Sequence, residues 1–146
     1  MTELAKYFES PLMWQSAFFL ILLGVSAFFS GSETALFNLK RQDVDKLKHD
    51  LAPSSRLIVR LLESPKRLLI TILSGNTIVN VALASMAAVI TVGIAQENDF
   101  NQLVALAVET VVLAVILVIL GEITPKVLAM RHSLAFASRI VGVLTV

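Results

Sequence analysis

The chain has 146 residues, the size of one domain, and its apolar fraction of 56% and mean hydropathy of +0.81 are too high for a soluble fold of that length. Its net charge of +1 conceals an uneven distribution, because eight of the twelve Lys and Arg residues lie between Lys40 and Arg67. There is no Cys, which excludes disulfides, zinc–thiolate sites and thiol catalysis, and the two His residues, His49 and His132, flank basic segments, which argues against a histidine-based metal site.

Residues 12–29 form a run of 18 without a charge, close to the roughly 20 helical residues that a bilayer core of about 30 Å requires. A first membrane span is predicted at about 12–31. Its N-terminal flank carries Glu3 and Glu9 against Lys6, a poor basic leader, so the segment reads as a retained signal anchor. The basic loop 40–67 follows. Within it Leu47, Leu51, Leu57, Ile58, Leu61 and Leu62 recur at helical spacing, Pro53-Ser54-Ser55 reads as a helix start and Ser64-Pro65 as a stop. Two short amphipathic helices on the membrane face are expected, their basic side chains near anionic headgroups.

A second span is predicted at about 68–95, a run of 28 uncharged residues long enough to tilt, and a third at about 102–124, interrupted by Glu109. Between them the only charges are Glu97 and Asp99, whereas Lys126, Arg131 and Arg139 follow the third span. The positive-inside rule then places the N-terminus outside and both the basic loop and the C-terminus in the cytoplasm. Residues 127–146 are apolar but carry Arg131, His132 and Arg139. A fourth crossing is open there, but a charge at mid-bilayer costs about 2.5–3.5 kcal/mol, which favours a juxtamembrane helix at the interface. The apolar stretch 142–146 has no polar tail, and the expectation is a membrane portion whose soluble part follows in the cytoplasm. The fold class is therefore all-α, with three transmembrane helices plus short amphipathic and juxtamembrane helices.

Polar residues within the apolar spans carry the chemistry. Near the expected inner end of each span a polar residue adjoins a glycine: Ser30-Gly31, Gly75-Asn76 and Gly121-Glu122. Asn80 lies one turn beyond Asn76 on the same helix face, and Ser32 and Glu33 follow Gly31. Hydroxyl, amide and carboxylate oxygens suit a hard cation such as Mg²⁺, which takes about six oxygens near 2.0–2.1 Å. Pro125 adds a mechanism, because a proline lacks N–H and its ring clashes with the carbonyl four residues earlier, here that of Gly121. A carbonyl released in hydrocarbon must be re-satisfied, and an ion shared with Glu122 would do so. The competing reading is helix packing by small residues, which accounts for Ser26, Ala82, Ala84, Ser85, Ala87 and Ala88, while Glu122 alone reads equally well as a partner for Lys126. Glu109 stands apart, six residues into the third span, or about 9 Å from its outer end. An intramembrane carboxylate is a functional candidate, for a co-transported ion or proton, with an interhelical hydrogen bond as the alternative.

The segments Phe29-Ser30-Gly31-Ser32-Glu33-Thr34-Ala35, Ser74-Gly75-Asn76-Thr77-Ile78-Val79-Asn80 and Gly121-Glu122-Ile123-Thr124-Pro125-Lys126 resemble, in order and spacing, the transmembrane domain of the cyclin M / CorC family of magnesium transporters. The resemblance covers nearly the whole chain. It implies a homodimer in the cell (inner) membrane and a dehydrated Mg²⁺ held between helices and reached from the cytoplasm. The export it implies is sodium-coupled, with Na⁺ as a second ion. Carried onto this sequence, the ligands would be Ser30, Gly75, Asn76 or Asn80, Gly121 and Glu122, with Ser32, Glu33 and Glu109 as accessory or coupling-ion residues. Many relatives have a second Asn where this chain has Thr77, which alters the rim of the site. Members of the family also carry a cytoplasmic pair of nucleotide-binding CBS domains, which do not fall within these residues.

The expected function is magnesium transport by alternating access, with a non-transporting magnesium sensor or scaffold as the alternative. The sequence has no HExxH, no GxSxG and no His within a span, so enzymatic activity is not expected. The basic residues fit membrane topology rather than nucleic acid.

Overall fold

The computed structural model describes residues 11–144, and all regular structure among them is helical. Helix α1 spans Pro11–Phe37, α2 Arg41–His49, α3 Pro53–Leu62 and α4 Pro65–Glu97. Helix α5, Gln102–Ile116, runs without interruption into a π-helical segment, Leu117–Ile123, and then into α6, Thr124–Arg131; α7 covers Ser133–Leu144.

Three of these rods are long and apolar enough to cross a membrane: α1, α4, and the continuous unit α5–π–α6. Their outward faces are lined by large apolar side chains such as Trp14, Leu20, Ile21, Ile78, Val81, Val104 and Val111, all exposed. A helix that is apolar on all sides needs an apolar surround. Helix α1 is the centre of the assembly and touches α4, the π segment, α6 and α7. The tightest core lies at the basic end of the bundle, where Ala35 and Leu36 of α1 meet Leu47, Ile58, Leu68, Ile72, Ala129, Ala137 and Ile140 from five other helices.

The amphipathic pair of the basic loop forms as α2 and α3, each burying one stripe: Leu47 on α2, and Ser55 and Ile58 on α3. Asp50 fixes the corner between them, accepting the Ser55 hydroxyl at 2.7 Å and the Ala52 amide at 3.1 Å. Those two bonds, the Ser55 hydroxyl foremost, hold the Asp50 carboxyl below the usual range for aspartate. At the other end of the bundle the reversal between α4 and α5 is short. Asp99 takes a φ of 55°, and Asn101 caps α5 by accepting the amides of Leu103 and Val104.

The rods extend beyond the predicted spans. Helix α1 continues six residues past 31, because Ala35 and Leu36 are fully buried and the polar residues between are no obstacle to a helix. Pro65, read as a stop, also starts α4, since proline suits a first helical turn. The expected juxtamembrane helix 127–146 is divided. Residues up to Arg131 continue the third rod as α6, His132 leaves helical geometry at φ −134° and ψ 44°, and α7 begins at Ser133. Residues 145 and 146 lie outside the described residues, as does the acidic flank before residue 11.

Candidate functional site

Polar side chains of two rods meet the backbone of the third at one place between α1, α4 and the π segment. Ser26, fully buried on α1, lies 2.7 Å from Asn80 Oδ1 and 3.2 Å from Asn76 Oδ1, its hydroxyl directed at both. The two asparagines are one turn apart on α4, which puts both amides on the face toward α1. The third side is Gly121, whose missing Cβ would lie 3.2 Å from Ser26 Oγ. One turn along α1, buried Ser30 donates to the Glu122 carbonyl oxygen at 3.4 Å. Oxygens of Ser26, Asn76, Asn80 and Ser30 thus gather against the backbone at Gly121 and Glu122.

The backbone there has the shape Pro125 demands. Proline removes a donor and pushes on the preceding turn, and the helix responds by widening over Leu117–Ile123, where the Thr124 amide bonds to Ile119 O, five residues back. The adjustment to the proline is spread over the seven residues Leu117–Ile123, which include Gly121. Such wide turns recur at functional sites. Pro125 and Gly121 are both buried.

Not every expected residue joins this cluster. The hydroxyl of Ser32, although buried, is spent within its own helix, donating to Phe28 O at 2.6 Å. Glu33 pairs with Lys126 at 3.7 Å and ties α1 to α6, so Lys126 serves Glu33 rather than Glu122. Gly75 and Gly31 are contact points for rings. A Cβ at 75 would lie 2.7 Å from the Phe29 ring, and one at 31 would lie 2.8 Å from Phe136. In the opposite direction, Ser26, assigned from sequence to helix packing, stands at the centre. Its only sequence signal is its spacing, four residues before Ser30 on the same face.

Among the described residues no three His, Cys, Asp or Glu side chains gather as a metal cluster. The oxygens that meet here are neutral hydroxyl and amide groups and the Glu122 backbone carbonyl.

Residues 17–146 match the family model of the cyclin M transmembrane N-terminal domain. The chain belongs to this family. Similar curated proteins include a UPF0053 protein of Haemophilus influenzae, 32% identical over 84% of this chain, and the UPF0053 inner membrane protein YfjD of Escherichia coli, 30% identical over 72%. A chloroplastic DUF21 domain-containing protein of Arabidopsis thaliana is 33% identical over 77% of the chain. The cyclin M domain described here spans 28%, 23% and 16% of the lengths of these relatives, respectively.

A second polar feature of this cyclin M domain lies far from the cluster. Glu109 precedes Glu122 by 13 residues (122 − 109), about 20 Å along a helix at 1.5 Å per residue. It opens onto a groove of about 310 Å³ whose walls include Phe19, Ala87, Thr91 and Val112. Its Oε1 is buried without a hydrogen-bond partner.

Proposed function

We propose that this cyclin M domain binds Mg²⁺ at the junction of its three spans and carries it out of the cytoplasm. The observation behind this reading is the convergence of the Asn76 and Asn80 oxygens on Ser26, beside Gly121 and the Ser30–Glu122 contact. Family membership supports transport of a divalent cation. The ligands would be drawn from Ser30, Asn76, Asn80, Glu122 and the Gly75 and Gly121 carbonyls, with Ser26 added by its position.

Stripping a hard dication of water needs about six oxygens at near-octahedral angles. Here neutral dipoles would supply most of the oxygens and Glu122 the opposing charge. Pro125 and the wide turn before it would free backbone oxygen for the same ion, at a depth where unpaired carbonyls are otherwise costly. Exit requires the helices to open on the other side, by alternating access with the basic loop and C-terminus in the cytoplasm. Glu109, in the half of the bilayer remote from that loop, would take the counter-ion, Na⁺ or a proton. The working unit is a homodimer in the cell membrane.

The test is Mg²⁺ flux into proteoliposomes reporting through an internal fluorescent indicator. Wild type is expected to pass Mg²⁺ down an imposed gradient. Glu122→Gln should lower flux and calorimetric affinity at least about a hundredfold, since removing one member of a desolvated charge pair costs about 3 kcal/mol or more. Undiminished affinity in a folded Glu122→Gln protein would overturn the ligand assignment. Binding without flux in the wild type would instead make the domain a sensor.

A further inference from the structure

The corner between α3 and α4 carries a groove of about 450 Å³ that the cation site does not use. Its polar lining is Arg60, Ser64, Arg67 and Thr71, and Leu57 and Leu61 form part of its apolar wall. We propose that this groove binds the headgroup phosphate of an anionic phospholipid.

Two arginines flank one small space because the connection between the helices is only Glu63 and Ser64. Arg60 sits in the last turn of α3 and Arg67 in the first turn of α4. Among the described residues neither forms an ion pair, Glu63 notwithstanding. Guanidinium groups bind phosphate through paired N–H donors, shorter and stronger than neutral hydrogen bonds. Independently, the 33-residue helix α4 starts here without a side-chain cap on its first amides, and Pro65 contributes no N–H. The remaining amides and the positive end of the helix favour an anion at that end.

Location selects a lipid over a free ion. The uncharged run 68–95 begins right after Arg67, so the groove opens where hydrocarbon gives way to headgroups. Leu57 and Leu61 offer an apolar wall that suits the glycerol and upper acyl segments of a lipid and does nothing for dissolved phosphate. General attraction of basic residues to an anionic surface would apply equally to exposed Lys40 and Arg41, which lie outside the groove, and this provides the control.

The full chain, purified in a non-ionic detergent, would be titrated with phosphatidylglycerol, with phosphatidylcholine of the same acyl chains, and with inorganic phosphate, and bound lipid counted by native mass spectrometry. Phosphatidylglycerol is expected to bind about tenfold more tightly than phosphatidylcholine, and inorganic phosphate should not displace it. Arg60→Gln with Arg67→Gln should abolish that preference, while Lys40→Gln with Arg41→Gln, removing the same charge, should leave it intact. No preference, equal loss in the control pair, or displacement by phosphate would each overturn the proposal. Should the double variant not fold, Arg67→Lys keeps the charge but loses the fork, and an unchanged preference there would also overturn it.

Discussion

A hydroxyl has one proton to donate, and Ser26 Oγ faces two amide oxygens, at 2.7 and 3.2 Å. That one proton serves a single oxygen at a time, unless one amide turns to donate its NH2 to the hydroxyl. A cation between Asn76 and Asn80 would engage both oxygens at once, with Ser26 holding them in place. Ser26→Ala should therefore act on the ion more than on the fold. Interhelical hydrogen bonds in membranes average about 0.6 kcal/mol, so thermal unfolding should shift little, whereas Mg²⁺ affinity should fall about tenfold, or about 1.4 kcal/mol. Calorimetry on the purified variant checks this, and unchanged affinity would remove Ser26 from the site. At this scale the sequence was only partly legible. Asn76 and Asn80 stand out because amides are rare in apolar helices, but a lone serine looks like the alanines around it until the register of the facing helix is known. The glycines also have a packing role that the sequence does not display. At positions 75 and 31 the space left by the missing Cβ receives the rings of Phe29 and Phe136.

The third rod shows a helix that accommodates a proline through a wide turn. The chain keeps its course through α5 and α6 and absorbs the lost bond by widening over Leu117–Ile123, beside buried Ser26 and Ser30. Proline inside a helix costs about 3 kcal/mol, an expense that stability alone does not explain. Pro125→Ala should restore an amide donor and let the segment tighten to regular α-helix. Thermal stability should hold or rise, amide exchange near residues 121–126 should slow, and Mg²⁺ flux should drop about tenfold or more as the backbone oxygen returns to its helical partner. Full flux in a stabilised Pro125→Ala protein would show that the wide turn serves packing alone. Sequence located this irregularity, since the proline is explicit, but its form depends on neighbours: α1 packs against both the π segment and α6. Helix ends were less legible still. Polar Ser32, Glu33 and Thr34 look like the edge of the membrane, yet α1 runs on to Phe37 because the core of α2, α3 and α7 gives Ala35 and Leu36 something to pack against.

Over the whole molecule, the three apolar rods and the two basic-loop helices follow directly from run lengths and leucine spacing, because bilayer thickness admits few alternatives. Which faces meet does not follow, since uniformly apolar helices have no stripe to read. The two carboxylates that the sequence already separates, Glu122 beside Gly121 and Glu109 within the span, also differ in structure. Glu122 lies at the convergence of the rods, with Ser30 bonded to its carbonyl. Glu109 lies about 20 Å away by helical rise, on an apolar groove, with one oxygen buried and unpartnered. A carboxylate left so is costly in hydrocarbon, and the molecule retains it at the end of the bundle opposite its basic loop. Two sites on one continuous helical unit can be coupled if ion occupancy at one biases the packing that exposes the other. Glu109→Gln keeps the shape and removes the charge. Calorimetric Mg²⁺ affinity should then stay within about twofold of wild type, because the cluster is remote. In proteoliposomes, by contrast, the acceleration of Mg²⁺ flux by an opposing Na⁺ or pH gradient should disappear. A variant that keeps the full gradient response would reduce Glu109 to a structural residue and leave the driving force to be sought at other residues.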